Sequence, residues 1–382
     1  MQLTILMPCL NEAETLASCI KKAKHWIKNS KISAEILIAD NGSTDGSQKI
    51  AKSMGARVVN VKEKGYGSAI FYGSLVAKGE WIIVGDSDDS YDFSKLDNFV
   101  KKLNEGYELV VGNRFLGGIE KGAMPWKNRY IGNPILTKIG RIFFNCPVKD
   151  FHCGLRAYTK AAFKKMDLRT SGMEFASEMI IKANLFNMKI AEVPTTLSKD
   201  GRSRPSHLRP WRDGWRHLRF MLLFSPLWLF FIPGLLLFLL SGILYSFLLF
   251  GPIQIGSITF DVHTLFYAQT GIIIGLLSMI FSIFIKAFGI KEGLLPKSSR
   301  LQNIQKYLKP ELSALIGFLM IIIGLIIGFM ALLTWGKTGF GQLTTNLLLR
   351  KISFSTTLII LGSEILLAVF VLEFLTIPKR KI

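Results

Sequence analysis

Cysteine is scarce in this sequence, with four residues among 382. They form no Cys-x-x-Cys pair and show no zinc-finger spacing, which excludes a disulfide-rich secreted fold and a structural zinc module; they are Cys9, Cys19, Cys146 and Cys153. The N-terminus, MQLTILMPCLNE, also lacks the basic segment and the long apolar segment of a signal peptide. We therefore expect the first part of the chain to lie in the cytoplasm with its thiols reduced.

Acidic residues are in the minority, since 27 Asp and Glu are outnumbered by 47 Lys and Arg, for a net charge of +20. The basic residues concentrate beside apolar runs and not in a recognisable nucleic-acid-binding motif, so we expect no nucleic-acid partner. Two interpretations of the charge stay open. It reflects either the ordinary bias of a membrane protein or an anionic partner, such as a nucleotide, a lipid phosphate or a membrane surface.

Long apolar runs are absent from the first part of the chain and dominate from residue 220 onward. We expect about four transmembrane helices, each long enough to cross a bilayer, at residues 220–250, 263–285, 312–334 and 353–377. A position along the membrane interface is an alternative for the start of the first run. The predicted organisation is a cytosolic domain over 1–200, a basic juxtamembrane linker over 201–219 and an all-α transmembrane domain over 220–382.

The flanks of the predicted spans differ in basic residues. The loop between the first two spans has no Lys or Arg, the loop over 286–309 has six, and KRK lies near the end of the chain. The positive-inside rule then predicts an integral protein of the cytoplasmic membrane with both termini and the middle loop in the cytoplasm. Three residues break this alternation: Lys337, Arg350 and Lys351.

Short β-type runs alternate with helical periodicity in the first 200 residues. The predicted strands lie at 3–7, 35–39, 57–61, 81–84 and 108–112. This alternation predicts an α/β domain with a mostly parallel, Rossmann-like sheet. In such sheets ligands bind at the carboxyl ends of the strands.

An acidic stretch, VGDSDDSYDF, follows the fourth predicted strand. Asp86 and Asp88 are one residue apart, and Asp40 comes directly after the second strand. Carboxylates with this spacing suit one hard divalent cation, Mg²⁺ or Mn²⁺, which would also cancel their repulsion. The alternative is a solvated turn whose aspartates cap a helix.

Seven short motifs occur in an order that resembles the family-2 glycosyltransferases with the GT-A fold. They are MPCLNE, IADNGSTDG, KGYGSAI, DSDDS, GNRF, DFHCGLRAY and GMEFASEM followed by EVP. Within that family the chain is most similar to polyprenyl-phosphate hexose transferases, namely dolichol-phosphate mannose synthases and undecaprenyl-phosphate glucosyltransferases. The resemblance covers about residues 1–200, and a membrane domain of two or four helices is found in several such enzymes.

The resemblance implies an inverting, metal-dependent hexosyltransferase. A nucleotide-diphosphate sugar, of the UDP-glucose or GDP-mannose type, would donate its hexose to a polyprenyl phosphate, either undecaprenyl or dolichyl. The lipid bilayer is the remaining expected partner. The sugar, the nucleotide, the polyprenol length and the oligomeric state stay open, a homo-oligomer included.

The resemblance also assigns the donor site. Nucleoside contacts would come from Pro8, Asn11 and Glu12, and Asp40 would bond to the base or the ribose. Close backbone approach to the donor is assigned to Gly65 and Gly67, for which an ordinary loop is the alternative. The divalent cation would be held by Asp86, Asp88 and Ser90, and Arg202 of GRSR would contact the diphosphate.

The acceptor phosphate is assigned by the same resemblance to Arg114, Arg129, Asn133 and Arg156. For Arg114 and Arg129 the alternative is a surface arginine. Asp150 is a candidate for catalysis or positioning, and one of Glu174 and Glu178 would face the sugar or acceptor while the other serves as scaffold. Because the phosphate acceptor has a second pKa of about 6, a general base is unnecessary. We expect His152 to be structural or peripheral.

Two other functions compete with this interpretation. A processive polysaccharide or glycolipid synthase of family 2 normally carries a QxxRW motif, which is missing here. A non-catalytic lipid-handling membrane protein would tolerate loss of Asp86 or Asp88, and both are present.

Overall fold

The computed structural model describes residues 1–204, 209–296, 309–337, 339–341 and 346–377. The chain divides into two compact units, which we call the N-terminal unit (Met1–Phe224) and the C-terminal unit (Ser225–Ile382).

A seven-stranded sheet forms the centre of the N-terminal unit. Its strands lie side by side in the order β3 (Arg57–Asn60), β2 (Ala34–Asp40), β1 (Leu3–Cys9), β4 (Trp81–Val84), β6 (Arg156–Thr159), β5 (Leu109–Asn113) and β7 (Ile190–Pro194). Strands β1 to β4 are parallel, as are β5 and β7, whereas β6 is antiparallel to both β4 and β5. The predicted α/β domain with a mostly parallel sheet is confirmed.

The central strands are apolar because helices cover both of their faces. All seven residues of β1 and the last five of β2 are buried, as is typical of parallel strands inside an α/β domain. The register pairs Cys9 with Asp40, and Leu6 with Val84. The carboxyl ends of β1, β2 and β4 therefore meet at one edge of the sheet.

Helix α1 of this unit buries one apolar stripe. In α1 the buried residues recur every three or four positions, from Leu16 through Ile20 and Ala23 to Trp26. The helices are α1 (Leu16–Ser30), α2 (Ser47–Ser53), α3 (Tyr66–Val76), α4 (Asp97–Asn104), α5 (Arg114–Gly117), α6 (Asn133–Phe144), α7 (Lys160–Met166), α8 (Phe175–Leu185) and α9 (Pro210–Leu223), with a π-helical turn at Asn128–Gly132.

Two strands of the seven-stranded sheet, β6 and β7, are missing from the sequence prediction. β6 has four residues and lies inside the DFHCGLRAY motif, so no apolar run marks it. It forms only because β4 and β5 leave a gap that an antiparallel strand fills. Its first residue, Arg156, is thereby buried.

The C-terminal unit contains long apolar helices and one hairpin. The helices are α10 (Ile232–Phe250), preceded by a π-helical turn at Leu227–Phe231, then α11 (Val262–Lys291), α12 (Pro310–Gly336) and α13 (Asn346–Thr376); β8 (Ile253–Ile255) and β9 (Ile258–Phe260) form the hairpin. Within the described residues, four helices are long and apolar enough to cross a membrane, and at most 28% of the most apolar window of each is buried. Such surface is stable in lipid, not in water. The predicted transmembrane domain of about four helices is confirmed.

The first apolar helix begins later than the sequence run suggests. Residues 220–223 complete α9, which belongs to the N-terminal unit. The spanning segment starts at Leu227, after Pro226. Proline has no amide hydrogen for the helix ladder, so a break at this position has a direct physical cause.

Polar side chains inside the C-terminal unit bond to one another. Tyr245 on α10 shares hydrogen bonds with Ser353 (3.1 Å) and Thr357 (2.9 Å) on α13. Gln269 on α11 accepts from Ser353 (2.9 Å) and donates to Thr356 (2.9 Å). These bonds join three helices, since a polar group in hydrocarbon needs a protein partner.

A buried ion pair lies at one end of this unit. The Arg350 guanidinium binds the Asp261 carboxylate and the Leu248 carbonyl. Asn346 also donates to Asp261, at 2.7 Å. One of the three basic exceptions to the predicted topology is therefore neutralised inside the protein.

Candidate active site

A cavity of about 950 Å³ opens at the carboxyl ends of the strands in the N-terminal unit. Its lining comes from the ends of β1, β4 and β5, from the 152–154 loop, from residues 122–136 and from α9. Ligands of α/β proteins bind at this edge of the sheet.

Asp86 follows β4 and lines the cavity. The Tyr66 hydroxyl donates to its Oδ1 at 2.9 Å. Burial, and then repulsion from Asp88, raise the pKa of Asp86 to about 7, against the lowering effect of Tyr66. The ionised form of Asp86 is therefore disfavoured by its surroundings, and a nearby cation would stabilise it.

Asp88 and Glu12 share one arginine. Arg202 donates from Nη2 to Asp88 Oδ2 at 2.8 Å and from Nη1 to Glu12 Oε1 at 3.1 Å. Arg204 reaches the same Glu12 oxygen at 2.9 Å, and the Ser90 hydroxyl donates to Asp88 Oδ1 at 2.6 Å. Burial still raises the pKa of Glu12, although both arginines act to lower it. The two arginines of the GRSR segment thus neutralise part of the charge of Glu12, Asp86 and Asp88, which we call the acidic cluster.

The acidic cluster fits a divalent cation. Among the described residues, no three His, Cys, Asp or Glu side chains converge into a complete metal-binding group. Asp86 and Asp88 nevertheless both line the cavity, one residue apart in the sequence. Burial, followed by repulsion from Asp88, raises the pKa of Asp86, and a cation would relieve that repulsion. Two carboxylates leave coordination positions for water and phosphate oxygens, which is how Mg²⁺ is usually bound.

Asp40 ends β2 beside the cavity and is itself buried. Its Oδ2 accepts from Gly42 N, Ser43 N and Gln48 Nε2 at 2.7 to 3.1 Å. Its Oδ1 is buried without a hydrogen-bond partner in the described part of the chain. An orphaned carboxylate oxygen is costly, so a hydroxyl or amine donor from a ligand would stabilise it.

The other residues assigned to the nucleoside differ in position. Pro8 and Glu12 line the cavity. Asn11 does not contribute to the lining; its Oδ1 accepts from Thr44 N at 2.8 Å and its backbone has φ of +57°. In this structure Asn11 shapes the loop after β1.

The two glycines of the KGYGSAI motif, Gly65 and Gly67, allow the backbone of residues 170–172 to approach closely. Gly65 lines the cavity with φ of +139°, and its amide donates to Asn41 Oδ1 at 2.8 Å. A side chain at Gly65 would collide with the Ser171 carbonyl. The amide of Gly67 donates to that same carbonyl at 2.8 Å, and Gly67 does not line the cavity.

Arg114 follows β5 and lines the cavity. It forms a two-bond contact with Asp150, from Nε to Oδ2 and from Nη2 to Oδ1, both at 2.8 Å, and its backbone amide adds a third bond. Asp150 is fully buried and does not line the cavity. Within the described residues, the side-chain hydrogen bonds of Arg114 use Nε and Nη2 and leave Nη1 without a partner. Asp150 therefore orients an arginine that lines the cavity and has a donor to spare.

The other two arginines assigned to the acceptor do not reach the cavity. Arg156 is buried, and its guanidinium donates to the carbonyls of Cys153, Phe151 and Ala176. Arg129 stacks over the Tyr130 ring at 5.5 Å and lies outside the lining. The antiparallel placement of β6, which the sequence did not predict, is what carries Arg156 inward.

Asn133 lines the cavity, and its side chain contacts Met124 Sδ at 3.4 Å. Glu178 is fully buried, accepts from Arg169 N, Thr170 N and Thr170 Oγ1, and pairs with Lys182 at 3.0 Å. These bonds make Glu178 a scaffold residue. Glu174 lies at the start of α8, and its buried Oε2 has no partner in the described part of the chain.

Several lining residues were not assigned from the sequence. Tyr66 and Lys64 belong to the quoted KGYGS motif, so a signal for them existed. His217 and Asp213 on α9 had none, because their positions depend on how α9 packs against α6 and α8.

Comparison with known proteins gives a match for each of the two units. Residues 4–167 match the family described as Glycosyl transferase family 2, and residues 283–376 match the Glycosyltransferase family 2 C-terminal transmembrane region. The chain is 33% identical over 344 residues to the low-salt glycan biosynthesis hexosyltransferase Agl6 of Haloferax volcanii, covering 89% of this chain and 82% of that protein. It is 30% identical over 192 residues to the dolichyl-phosphate hexose transferase of the same organism, covering 50% and 81%.

A more distant likeness is structural. The glucosyl-3-phosphoglycerate synthase of Mycobacterium tuberculosis, crystallised with Mn²⁺, UDP and glucosyl-3-phosphoglycerate, gives a TM-score of 0.46 at 22% identity. The match covers 58% of this chain and 78% of that one.

Proposed function

Because the chain belongs to the family-2 glycosyltransferases, we propose that it moves a hexose from a nucleoside-diphosphate sugar to a polyprenyl phosphate. The observation that carries this proposal is one cavity lined both by two carboxylates, Asp86 and Asp88, and by an arginine, Arg114, whose Nη1 makes no hydrogen bond within the described residues. We assign the donor to the part around the carboxylates, called the donor end, and the acceptor phosphate to the part around Arg114, called the acceptor end. The membrane helices and the similarity to a dolichyl-phosphate hexose transferase support a lipid acceptor.

At the donor end, the side chains bind and orient the nucleoside diphosphate. The orphaned Oδ1 of Asp40 would accept a hydrogen bond from the nucleoside, and Arg202 and Arg204 would turn from Glu12 and Asp88 toward the diphosphate. Asp86 and Asp88 would hold a divalent cation, Mg²⁺ or Mn²⁺, which supplies positive charge to the leaving nucleoside diphosphate.

At the acceptor end, Arg114 and Asn133 bind the lipid phosphate while Asp150 positions Arg114. A phosphate oxygen of the acceptor attacks the anomeric carbon, and the bond from that carbon to the diphosphate oxygen breaks, with inversion. Since the attacking oxygen is already anionic near neutral pH, no protein base has to remove a proton. The protein contributes orientation and charge compensation.

We place both termini, the catalytic domain over 1–200 and its linker over 201–219 on the cytoplasmic side of the cytoplasmic membrane. The basic loop over 286–309 and the Lys- and Arg-free loop over 251–262 support this orientation. The pairing of Arg350 with Asp261 removes one of the exceptions.

The testing experiment measures transfer of radiolabelled sugar to undecaprenyl phosphate in detergent. A panel of UDP- and GDP-sugars is supplied with Mg²⁺ or Mn²⁺, and parallel samples contain EDTA. We expect one donor to give a chloroform-soluble, acid-labile product that EDTA abolishes. Label in a polymer would indicate a polysaccharide synthase instead, and nucleotide binding without any product would indicate a non-catalytic lipid-handling protein.

Asp88→Ala and Asp92→Ala form a matched pair for this assay. Asp92 lies in the same acidic stretch but bonds to Ser94 and pairs with Lys95, away from the cavity. We expect Asp88→Ala to lower transfer by about 10²- to 10³-fold, since it removes a group that stabilises charge on the leaving diphosphate. Asp92→Ala should retain transfer.

A further inference from the structure

The fully buried carboxylate of Asp150 anchors two cavity residues, not one. Besides its bonds to Arg114, it accepts from the backbone amide of His152 at 3.4 Å. His152 and Arg114 both line the cavity. A common anchor holds the backbone of His152 and the guanidinium of Arg114 on one carboxylate, although 38 positions separate the two residues in the sequence.

We propose that His152 is a further binding residue for the acceptor phosphate, which its Nε2 contacts beside Arg114, and that His217 is its positioning residue. This inference rests on the proposed lipid-phosphate acceptor and adds a neutral hydrogen-bonding group to that subsite. It differs from the expectation from the sequence that His152 is structural or peripheral, and the experiment below decides between the two.

The Nε2 atom of His152 is enclosed and lacks a hydrogen-bond partner among the described residues. An imidazole nitrogen without a partner is costly to bury. A phosphate oxygen bound between His152 and Arg114, which both line the cavity and both bond to Asp150, would supply that partner.

His217 holds the ring of His152 in place from α9. The two rings meet edge to face, with centroids 4.6 Å apart and planes at 73°. His217 is fixed in turn by Ser177 on α8, whose hydroxyl lies 2.8 Å from Nδ1. The pair therefore links α8, α9 and the DFHCGLRAY loop at the cavity wall.

Both imidazoles are suited to act in the neutral form. Burial, then the neighbouring His217, Arg114 and Arg156, hold the pKa of His152 well below its usual range. Burial lowers the pKa of His217 to about 4, although Asp213 acts to raise it. A neutral Nε2–H donor contacts the phosphate without adding a third positive charge next to the two arginines.

The test compares His152→Phe, which removes the nitrogen, with His152→Gln, whose amide nitrogen lies near the position of Nε2. Farnesyl phosphate is the acceptor probe, and the donor is the one found in the transfer assay. We expect His152→Phe to raise the KM for farnesyl phosphate by roughly tenfold or more, the effect of losing a hydrogen bond to a charged group. The KM for the donor should not change, and His152→Gln should recover most of the loss.

Two further variants complete the design. His217→Phe should raise the same KM by a smaller factor, since it loosens the ring of His152 without removing Nε2. His25→Phe is the matched control, because His25 is exposed on α1 and bonds only to Asn29 there. A loss of kcat or of thermal stability that is equal in His152→Phe and His152→Gln, with the acceptor KM unchanged, would show a packing role and overturn the proposal.

Direct binding separates this inference from the proposed reaction. Titration calorimetry with farnesyl phosphate and with farnesol, which lacks the phosphate, needs no turnover. If the wild-type protein transfers no sugar but prefers farnesyl phosphate, and His152→Phe loses that preference, the subsite stands and the reaction is wrong. If the wild-type protein shows no preference for the phosphate, the subsite itself is wrong.

Discussion

Two arginine–aspartate pairs, Arg114 with Asp150 in the N-terminal unit and Arg350 with Asp261 in the C-terminal unit, differ in what else the arginine contacts. Arg114 lines the cavity, and its Nη1 makes no hydrogen bond within the described residues. In the C-terminal unit, Arg350 binds the Asp261 carboxylate and also donates to the Leu248 carbonyl. Asn346 donates a further hydrogen bond to the other carboxylate oxygen of Asp261. Arg114 therefore has a hydrogen-bond donor left that a ligand could use. In the second pair, both the arginine and the aspartate make additional hydrogen bonds within the protein.

The same contrast extends to other buried polar atoms. Partnerless buried atoms of the N-terminal unit include Oδ1 of Asp40, Nε2 of His152 and Oε2 of Glu174. In the described residues of the C-terminal unit, the one such atom is Oε2 of Glu364, while the Tyr245, Gln269 and Ser353 side chains bond to each other. Polar groups left unsatisfied around the cavity favour ligand binding, whereas polar groups that satisfy one another join helices.

The largest expected effect is at the first pair. Arg114→Leu leaves the Asp150 carboxylate buried and unpaired, which should cost about 3–5 kcal/mol of stability and abolish use of the lipid acceptor. Thermal unfolding and the transfer assay measure both losses. The double variant Arg114→Leu with Asp150→Leu should recover most of the stability and none of the transfer. Recovered transfer would show that the pair is structural only.

The second pair should behave differently. Arg350→Leu should lower stability in detergent by about 2–4 kcal/mol, because Asp261 loses its partner. Transfer per folded molecule should be unchanged, since nothing in this pair is left for a ligand. Activity normalised to the folded fraction, from fluorescence-detected size-exclusion chromatography, checks this. A change in acceptor KM would contradict the contrast between the pairs.

The stability of the N-terminal unit should depend on pH through His217, which lines the cavity. The pKa of His217 is lowered in the folded protein, so its contribution to stability is complete above pH 6.5 and is lost as the pH falls toward 4. At pH 5.5 the loss should be roughly 1 kcal/mol for this group. Denaturation at pH 7.5 and 5.5 should show a smaller pH-dependent loss in His217→Phe than in the wild-type protein. An equal loss in both would assign the effect to other groups.

The smallest effect is expected inside the membrane unit. Ser353→Ala removes hydrogen bonds to Tyr245 and Gln269, and such bonds between membrane helices are worth about 0.6 kcal/mol on average. Unfolding in mixed micelles should show a loss of this order with normal transfer. Ser363→Ala is the control, because its hydroxyl bonds only to the Ile359 carbonyl of the same helix.

Much of the candidate site could be read from the sequence, because the ends of parallel strands meet at one edge. That rule brings Asp86 and Asp88 into the cavity, and the position of Arg114 after β5 follows from the same argument. The rule fails for Arg156, because it starts a short antiparallel strand and its donors go to backbone carbonyls.

The division into an α/β domain and a membrane domain follows from the order of the amino acids alone, because hydrophobicity and periodicity are local properties of the chain. Which polar groups are satisfied by the protein, and which are left for a ligand, depends on how remote segments pack. The partners are remote in sequence: Arg114 and Asp150 are 36 residues apart, and Arg202 and Glu12 are 190 apart. A hydrogen bond depends on distances of about 3 Å between such groups, and no local pattern encodes those distances.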